Sequence, residues 1–138
     1  MNKKIHLKVN TDLNATGEVL SWFEQINQPP LSDKKIWWQC QTLLIEGFAN
    51  IVEHAHKNLP LETPIELEVL RLNEYIEIRI WSFGQAFDLQ QQLQTKPELT
   101  DNFQERGRGL KIMDSIAEEL NYLPIDAHRH CLFLKIKY

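Results

Sequence analysis

An α+β fold, a two-layer sandwich with a mostly antiparallel sheet and helices on one face, is predicted by three features of the chain. Four segments alternate apolar and polar residues with the period of half-buried strands. Others repeat apolar residues at helical spacing. In the middle of the chain only Asn73 and Glu74 separate two strand-like runs, the spacing of a tight hairpin.

Residues 3–9 alternate through Ile5, Leu7 and Val9 and predict the first strand. Residues 15–27 carry Val19, Leu20, Phe23 and Ile26 at helical spacing, and Pro29 and Pro30 stop that helix. A longer helix opens with Ser32 as N-cap and ends near Asn58, before Pro60. Its apolar series runs Ile36, Trp37, Cys40, Leu43, Leu44, Gly47, Phe48, Ile51, Ala55. Trp38 points about 100° from Trp37, either under the first helix or into an exposed interface. Residues 64–72 and 75–82 form the hairpin strands, with Ile65, Leu67, Val69 and Ile76, Ile78, Ile80 alternating. Residues 87–108 are rich in Gln, Thr, Asp and Glu and lack sustained periodicity, which predicts a long loop of the kind that often serves as a lid. A third helix follows Gly109, with Leu110, Ile112, Met113, Ile116, Ala117 and Leu120 on one side. The last strand runs from Cys131 to Tyr138.

The 138 residues predict a single domain, 1–138, that folds around one core without staples. A net charge of -4 argues against a general nucleic-acid binder, which carries a basic field. Arg106, Arg108 and Lys111 nevertheless form a local positive cluster beside glycines. Cys40 and Cys131 lie in apolar patterns without metal-ligand spacing and predict buried free thiols in a reducing compartment. No signal peptide or membrane span is visible, so the expected location is the cytoplasm.

Three segments carry chemistry. Glu46, Asn50 and His54 stand at i, i+4 and i+8, on one side of a helix. The same stripe also suits a solvated helix face. Asn is a poor filler of a helix interior, however, because its amide competes for backbone groups. Its carboxamide oxygen is a good hard ligand for Mg²⁺, and a carboxylate one turn away can deprotonate a hydroxyl. In the second segment Gly84 follows directly on a strand, which any strand-ending turn also requires. In the third, Gly107, Arg108 and Gly109 precede a helix, where freed backbone N–H groups and arginines suit an anion. A flexible helix entry is the plainer alternative. A P-loop is absent.

Together these residues resemble the GHKL superfamily of histidine-kinase-like ATP-binding domains. More narrowly, the chain is similar to the small bacterial anti-sigma factor serine/threonine kinases. The resemblance covers nearly the whole chain. It implies the histidine-kinase-like ATPase fold, ATP and Mg²⁺ as ligands, and two protein partners: a phosphorylated anti-anti-sigma factor and a sequestered sigma factor. Direct nucleic-acid and membrane binding are not implied, and homodimerisation, seen among relatives, stays open. The helix stripe matches the family's E-x-x-x-N-x-x-x-H box. On that match Glu46 is the catalytic base, Asn50 the Mg²⁺ ligand and His54 a supporting residue. Gly107, Arg108, Gly109 and Leu110 match the phosphate-cradling second glycine box, and residues 87–106 match the ATP lid.

The chain departs from the pattern in places. The family's D-x-G-x-G-F-D segment begins here with Ser82, keeps Gly84 and replaces its second glycine by Ala86. Arg106 stands where a glycine usually opens the second glycine box, and His128, Arg129 and His130 stand where a Gly-Thr pair is common. The family's Asp accepts a hydrogen bond from the adenine amine. Losing that charged bond weakens binding by about 1.5–3 kcal/mol, roughly 10- to 100-fold. Two expectations follow. The chain is an ATP-dependent protein serine/threonine kinase, a transferase, or it is a non-catalytic partner-binding module with a degraded nucleotide site, acting by sequestration in a partner-switching circuit.

Overall fold

The computed structural model of the chain describes residues 2–83 and 113–138. Among them five strands build one sheet: β1 (Lys3–Asn10), β2 (Pro64–Arg71), β3 (Tyr75–Phe83), β4 (Glu119–Pro124) and β5 (Arg129–Lys137). Their order across the sheet is β1-β2-β3-β5-β4, and every neighbouring pair is antiparallel. Helix α1 (Thr16–Phe23) sits between two 3-10 turns, Leu13–Ala15 and Glu24–Asn27. Helix α2 (Lys34–Asn50) runs on into a π-helical segment, Ile51–Ala55. The α+β architecture expected from the sequence is the one observed.

Strand alternation explains why the helices share a face. On β2 and β3 the residues Ile65, Leu67, Val69, Ile76, Ile78 and Ile80 are completely buried, as are Leu132 and Leu134 on β5. They meet Val19 and Phe23 of α1 and Cys40, Leu43, Leu44 and Phe48 of α2 in one core. Each such side chain contributes about 1.5–3 kcal/mol by leaving water. Phe23 stacks on Trp37 with ring centroids 4.8 Å apart. Trp22 is buried and donates from its indole N–H to the His6 carbonyl at 3.1 Å. Trp38 does not tuck under α1: it is 61% exposed. The other face of the sheet carries ion pairs such as Lys4 with Glu68 at 3.5 Å and Arg79 with Glu77 at 3.1 Å. Such solvent-accessible, partly exposed pairs add little to stability.

Several boundaries differ from the sequence reading. Residues 15–27 are not one α-helix, since the last turn tightens to 3-10 geometry after Phe23. The α2 N-cap is Asp33 instead of Ser32, because its carboxylate accepts from the Lys35 N–H at 2.9 Å. The helix expected to reach Leu120 is helical only through 113–116 within the described residues. Ala117 N–H still bonds back to the Met113 carbonyl (2.9 Å), but Glu118 N–H turns to the Lys135 carbonyl at 2.7 Å. That bond starts β4, a strand the sequence reading missed. Its Leu120 suits a helix continuing from Ile116 and also alternates with Tyr122, so only the pairing with β5 decides.

The hairpin end of the sheet is closed by a buried cation. Arg71 is 6% exposed, and its guanidinium donates to the carbonyls of Ile26 (2.9 Å) and Pro29 (2.5 Å). It also lies 5.3 Å from the centre of the Tyr138 ring, while the Tyr138 hydroxyl donates to the Leu72 carbonyl. Leu72 N–H bonds the Tyr75 carbonyl at 2.8 Å and completes the predicted turn.

Candidate functional site

At the opposite end of the sheet, α2 comes unusually close to the strands. A Cβ placed on Gly47 would stand 3.0 Å from Ile80 Cδ1 and 3.3 Å from both Leu132 Cδ2 and Leu134 Cδ1. Only glycine permits this approach without displacing those side chains. It seats Glu46 half-buried at the helix margin and Asn50, one turn later, at 1% exposure. The Asn50 amide donates from Nδ2 to the Glu46 carbonyl at 2.8 Å, which fixes the side chain. Its Oδ1 is buried and has no hydrogen-bond partner among the described residues.

Directly after Asn50 the helix widens. His56 N–H bonds the Ile51 carbonyl at 2.9 Å, a five-residue closure that inserts one residue into the register. The i, i+4 relation of Glu46 and Asn50 is therefore kept, whereas half-buried His54 lies inside the π segment and off the strict i+8 position. Periodicity alone gives no sign of this. The widened turn also carries in a residue that sequence reasoning overlooked. His56 is 2% exposed, and its Nε2 accepts from the Phe83 N–H at 2.8 Å. Accepting there requires the proton on Nδ1, and burial holds the imidazole below its ordinary pKa of 6.5. The only cue in the sequence was a second histidine two positions beyond His54.

His56 thus ties the end of the helix to the end of β3, where Ser82 lies. Ser82 is completely buried, and its Oγ has no partner among the described residues. Across the β3–β5 ladder its register partner is His130. The His130 ring stacks on Tyr122 of β4 with centroids 5.3 Å apart and planes 13° from parallel. Sequence reasoning noted His130 as a departure and gave it no role. Gly84, Ala86, Arg106, Gly107, Arg108, Gly109, Leu110 and the lid at 87–106 lie outside the described residues.

The donor set suits Mg²⁺ in one respect. Among the described residues no group of three or more His, Cys, Asp or Glu side chains could hold a metal by itself. Mg²⁺ does not need one, since it commonly takes one or two protein oxygens and fills its shell with phosphate and water. The buried, unpartnered Asn50 Oδ1 is such an oxygen. Cys40 and Cys131 are buried and free, and Cys131, next to His130 on β5, lines the opposite face of the sheet. Burial pushes the Cys40 thiol up to about 12 against the opposing pull of Arg71, and burial likewise raises Cys131. A separate shallow groove of about 360 Å³ opens on the other face of the sheet, lined by Leu123, Ile125, Cys131 and Phe133 with Arg79, Glu119 and Asn121. No helix among the described residues is long and apolar enough to cross a membrane.

Comparison with known proteins agrees with this fold. No curated protein sequence matches the chain. Among solved structures, a chain of the crystallised SiaB–SiaC complex from Pseudomonas aeruginosa superimposes with a TM-score of 0.67 at 13% identity, over 97% of this chain and 89% of that one. The fold is therefore shared although the sequences have diverged. The histidine kinase-like ATPase domain family matches residues 9–136, a span that holds β2 to β4, nearly all of β5, both helices and the Asn50–Ser82 end, and the chain belongs to that family.

Proposed function

We propose that this chain is a partner-switching regulator that phosphorylates a serine or threonine of an anti-anti-sigma partner and sequesters a sigma factor. The observation that carries the reading is the Asn50 Oδ1, a buried acceptor without a partner among the described residues, one helical turn from the Glu46 carboxylate. Asn50 would hold the metal through that oxygen. Bound there with ATP, Mg²⁺ neutralises phosphate charge in the loose transition state of phosphoryl transfer. Glu46 accepts the proton of the partner's hydroxyl as its oxygen bonds to the terminal phosphorus, and ADP leaves. The resemblance adds Gly107, Arg108 and Gly109 as the phosphate cradle and Arg108 as a stabiliser of the transferring group. Likeness to a chain crystallised with a protein partner supports the regulatory half of the proposal.

A second reading is favoured by Ser82. A neutral hydroxyl where relatives carry a carboxylate suits a module that has lost its nucleotide and acts by sequestration alone. Titration with millimolar Mg-ATP separates the two. The kinase reading expects heat and thermal stabilisation in the wild type, both abolished in Asn50→Ala, and phosphotransfer lost in Glu46→Gln. If the wild type shows neither heat nor stabilisation, the enzyme is excluded and the sequestering module stands.

A further inference from the structure

Four buried polar atoms at one end of the sheet have no hydrogen-bond partner among the described residues: Asn50 Oδ1, His56 Nδ1, Ser82 Oγ and His130 Nδ1. Each costs about 1–3 kcal/mol if left unpaired, and native proteins keep few of them. Two of the four face each other. Ser82 and His130 are direct partners on β3 and β5, and both point to the helix side of the sheet, in phase with buried Ile80 and Leu132. Side chains so paired have Cβ atoms about 4.5–5.5 Å apart, close enough to engage neighbouring atoms of one ring. Tyr122 stacks flat on His130 and fixes the plane of the imidazole.

We propose that Ser82 and His130 form a two-point patch that reads the hydrogen-bonding edge of a purine, accepting adenine and guanine nucleoside triphosphates alike. The inference rests on the nucleotide-site reading above and names which nucleotides the site takes. Adenine presents an amine donor beside a ring-nitrogen acceptor, while guanine presents a carbonyl acceptor beside a ring N–H donor. A carboxylate only accepts, so it favours the adenine amine and repels the guanine carbonyl. A hydroxyl reverses its role by rotating, and a neutral imidazole reverses its role by changing tautomer. Ser82 and His130 therefore match either pattern, donor-acceptor or acceptor-donor, without moving a heavy atom. The loss of charge that looks like decay becomes a relaxation of base selectivity.

The test is calorimetric titration of the full chain with Mg-ATP, Mg-GTP and magnesium triphosphate without a base, alongside thermal shifts. Wild type binds ATP and GTP within about fivefold of each other. His130→Ala weakens both nucleotides about tenfold and leaves triphosphate binding unchanged. Ser82→Asp restores a preference for ATP over GTP of about tenfold or more. Should that buried aspartate prevent folding, Ser82→Ala serves instead and weakens both nucleotides equally. A wild type that prefers ATP by about a hundredfold, or nucleotide affinities indifferent to His130→Ala, overturns the purine patch and leaves the nucleotide site intact. If none of the three ligands binds, the nucleotide site itself is overturned and the patch with it.

Discussion

The two ends of the sheet bury polar groups in opposite ways. At the hairpin end, Arg71 is enclosed, yet its guanidinium meets two carbonyls and the Tyr138 ring, and Tyr138 in turn holds Leu72. At the far end, Asn50, His56, Ser82 and His130 each bury an atom with no partner among the described residues. A satisfied buried network rigidifies a fold, whereas an unsatisfied one lowers stability until something binds. The contrast separates a buried polar network that is satisfied within the fold from buried polar atoms that the described residues leave unsatisfied. Burial alone does not, because the atoms concerned are enclosed at both ends.

The largest expected effect tests the structural end. Arg71→Ala leaves the Ile26 and Pro29 carbonyls without their donor and opens a hole beside Tyr138, costing about 3 kcal/mol of unfolding free energy by denaturant titration. A loss below about 0.5 kcal/mol, the range of surface substitutions, would break the comparison. His56 bridges the two categories, since Nε2 is satisfied by Phe83 and Nδ1 is not. His56→Ala costs about 1–3 kcal/mol by stranding the Phe83 N–H, and His56→Gln, which retains an acceptor, recovers part of it. The pH dependence has a definite sign. Because burial lowers the folded pKa of His56, the unfolded chain binds the proton first. Stability is therefore complete above about pH 6.5 and declines as pH falls below it, a slope that His56→Gln reduces.

The smallest effects are expected at the ligand end, with the opposite sign. Asn50→Ala and Ser82→Ala each remove a buried oxygen without a partner among the described residues; Asn50→Ala also gives up the Nδ2 bond to the Glu46 carbonyl, offset by alanine being the better helix former at position 50. Both variants are expected to unfold at slightly higher denaturant, by about 0.5–1 kcal/mol, while nucleotide binding weakens. If either loses more than about 1 kcal/mol, its polar atom has a structural partner and belongs with Arg71.

Much of this was legible in the sequence, for reasons that differ by element. The strands through Ile65, Leu67 and Val69 and through Ile76, Ile78 and Ile80 announce themselves because one face is dry and the other wet. Glu46 and Asn50 stood out as candidates because a carboxamide amid apolar helix neighbours is costly, and Asn50 is indeed buried. β4 was not legible, since the pairing that makes it a strand comes from β5, beyond any local window. His56 was hidden by the π turn, which changes the register on which helical reasoning depends. The position of His130 opposite Ser82 was not legible either, since it needs the ladder that pairs β3 with β5.

The close approach at Gly47 has an evolutionary consequence. Helix and sheet there are separated by little more than the ends of Ile80, Leu132 and Leu134, so these side chains set the spacing between the helix that carries Asn50 and the strand that carries Ser82. Close-packed interiors transmit volume changes instead of absorbing them. A swap of one branched apolar residue for another at these positions would re-space the two halves of the site without touching either. Under the proposed function, drift in the core of this protein would be exposed to selection on nucleotide affinity, even where it is neutral for folding.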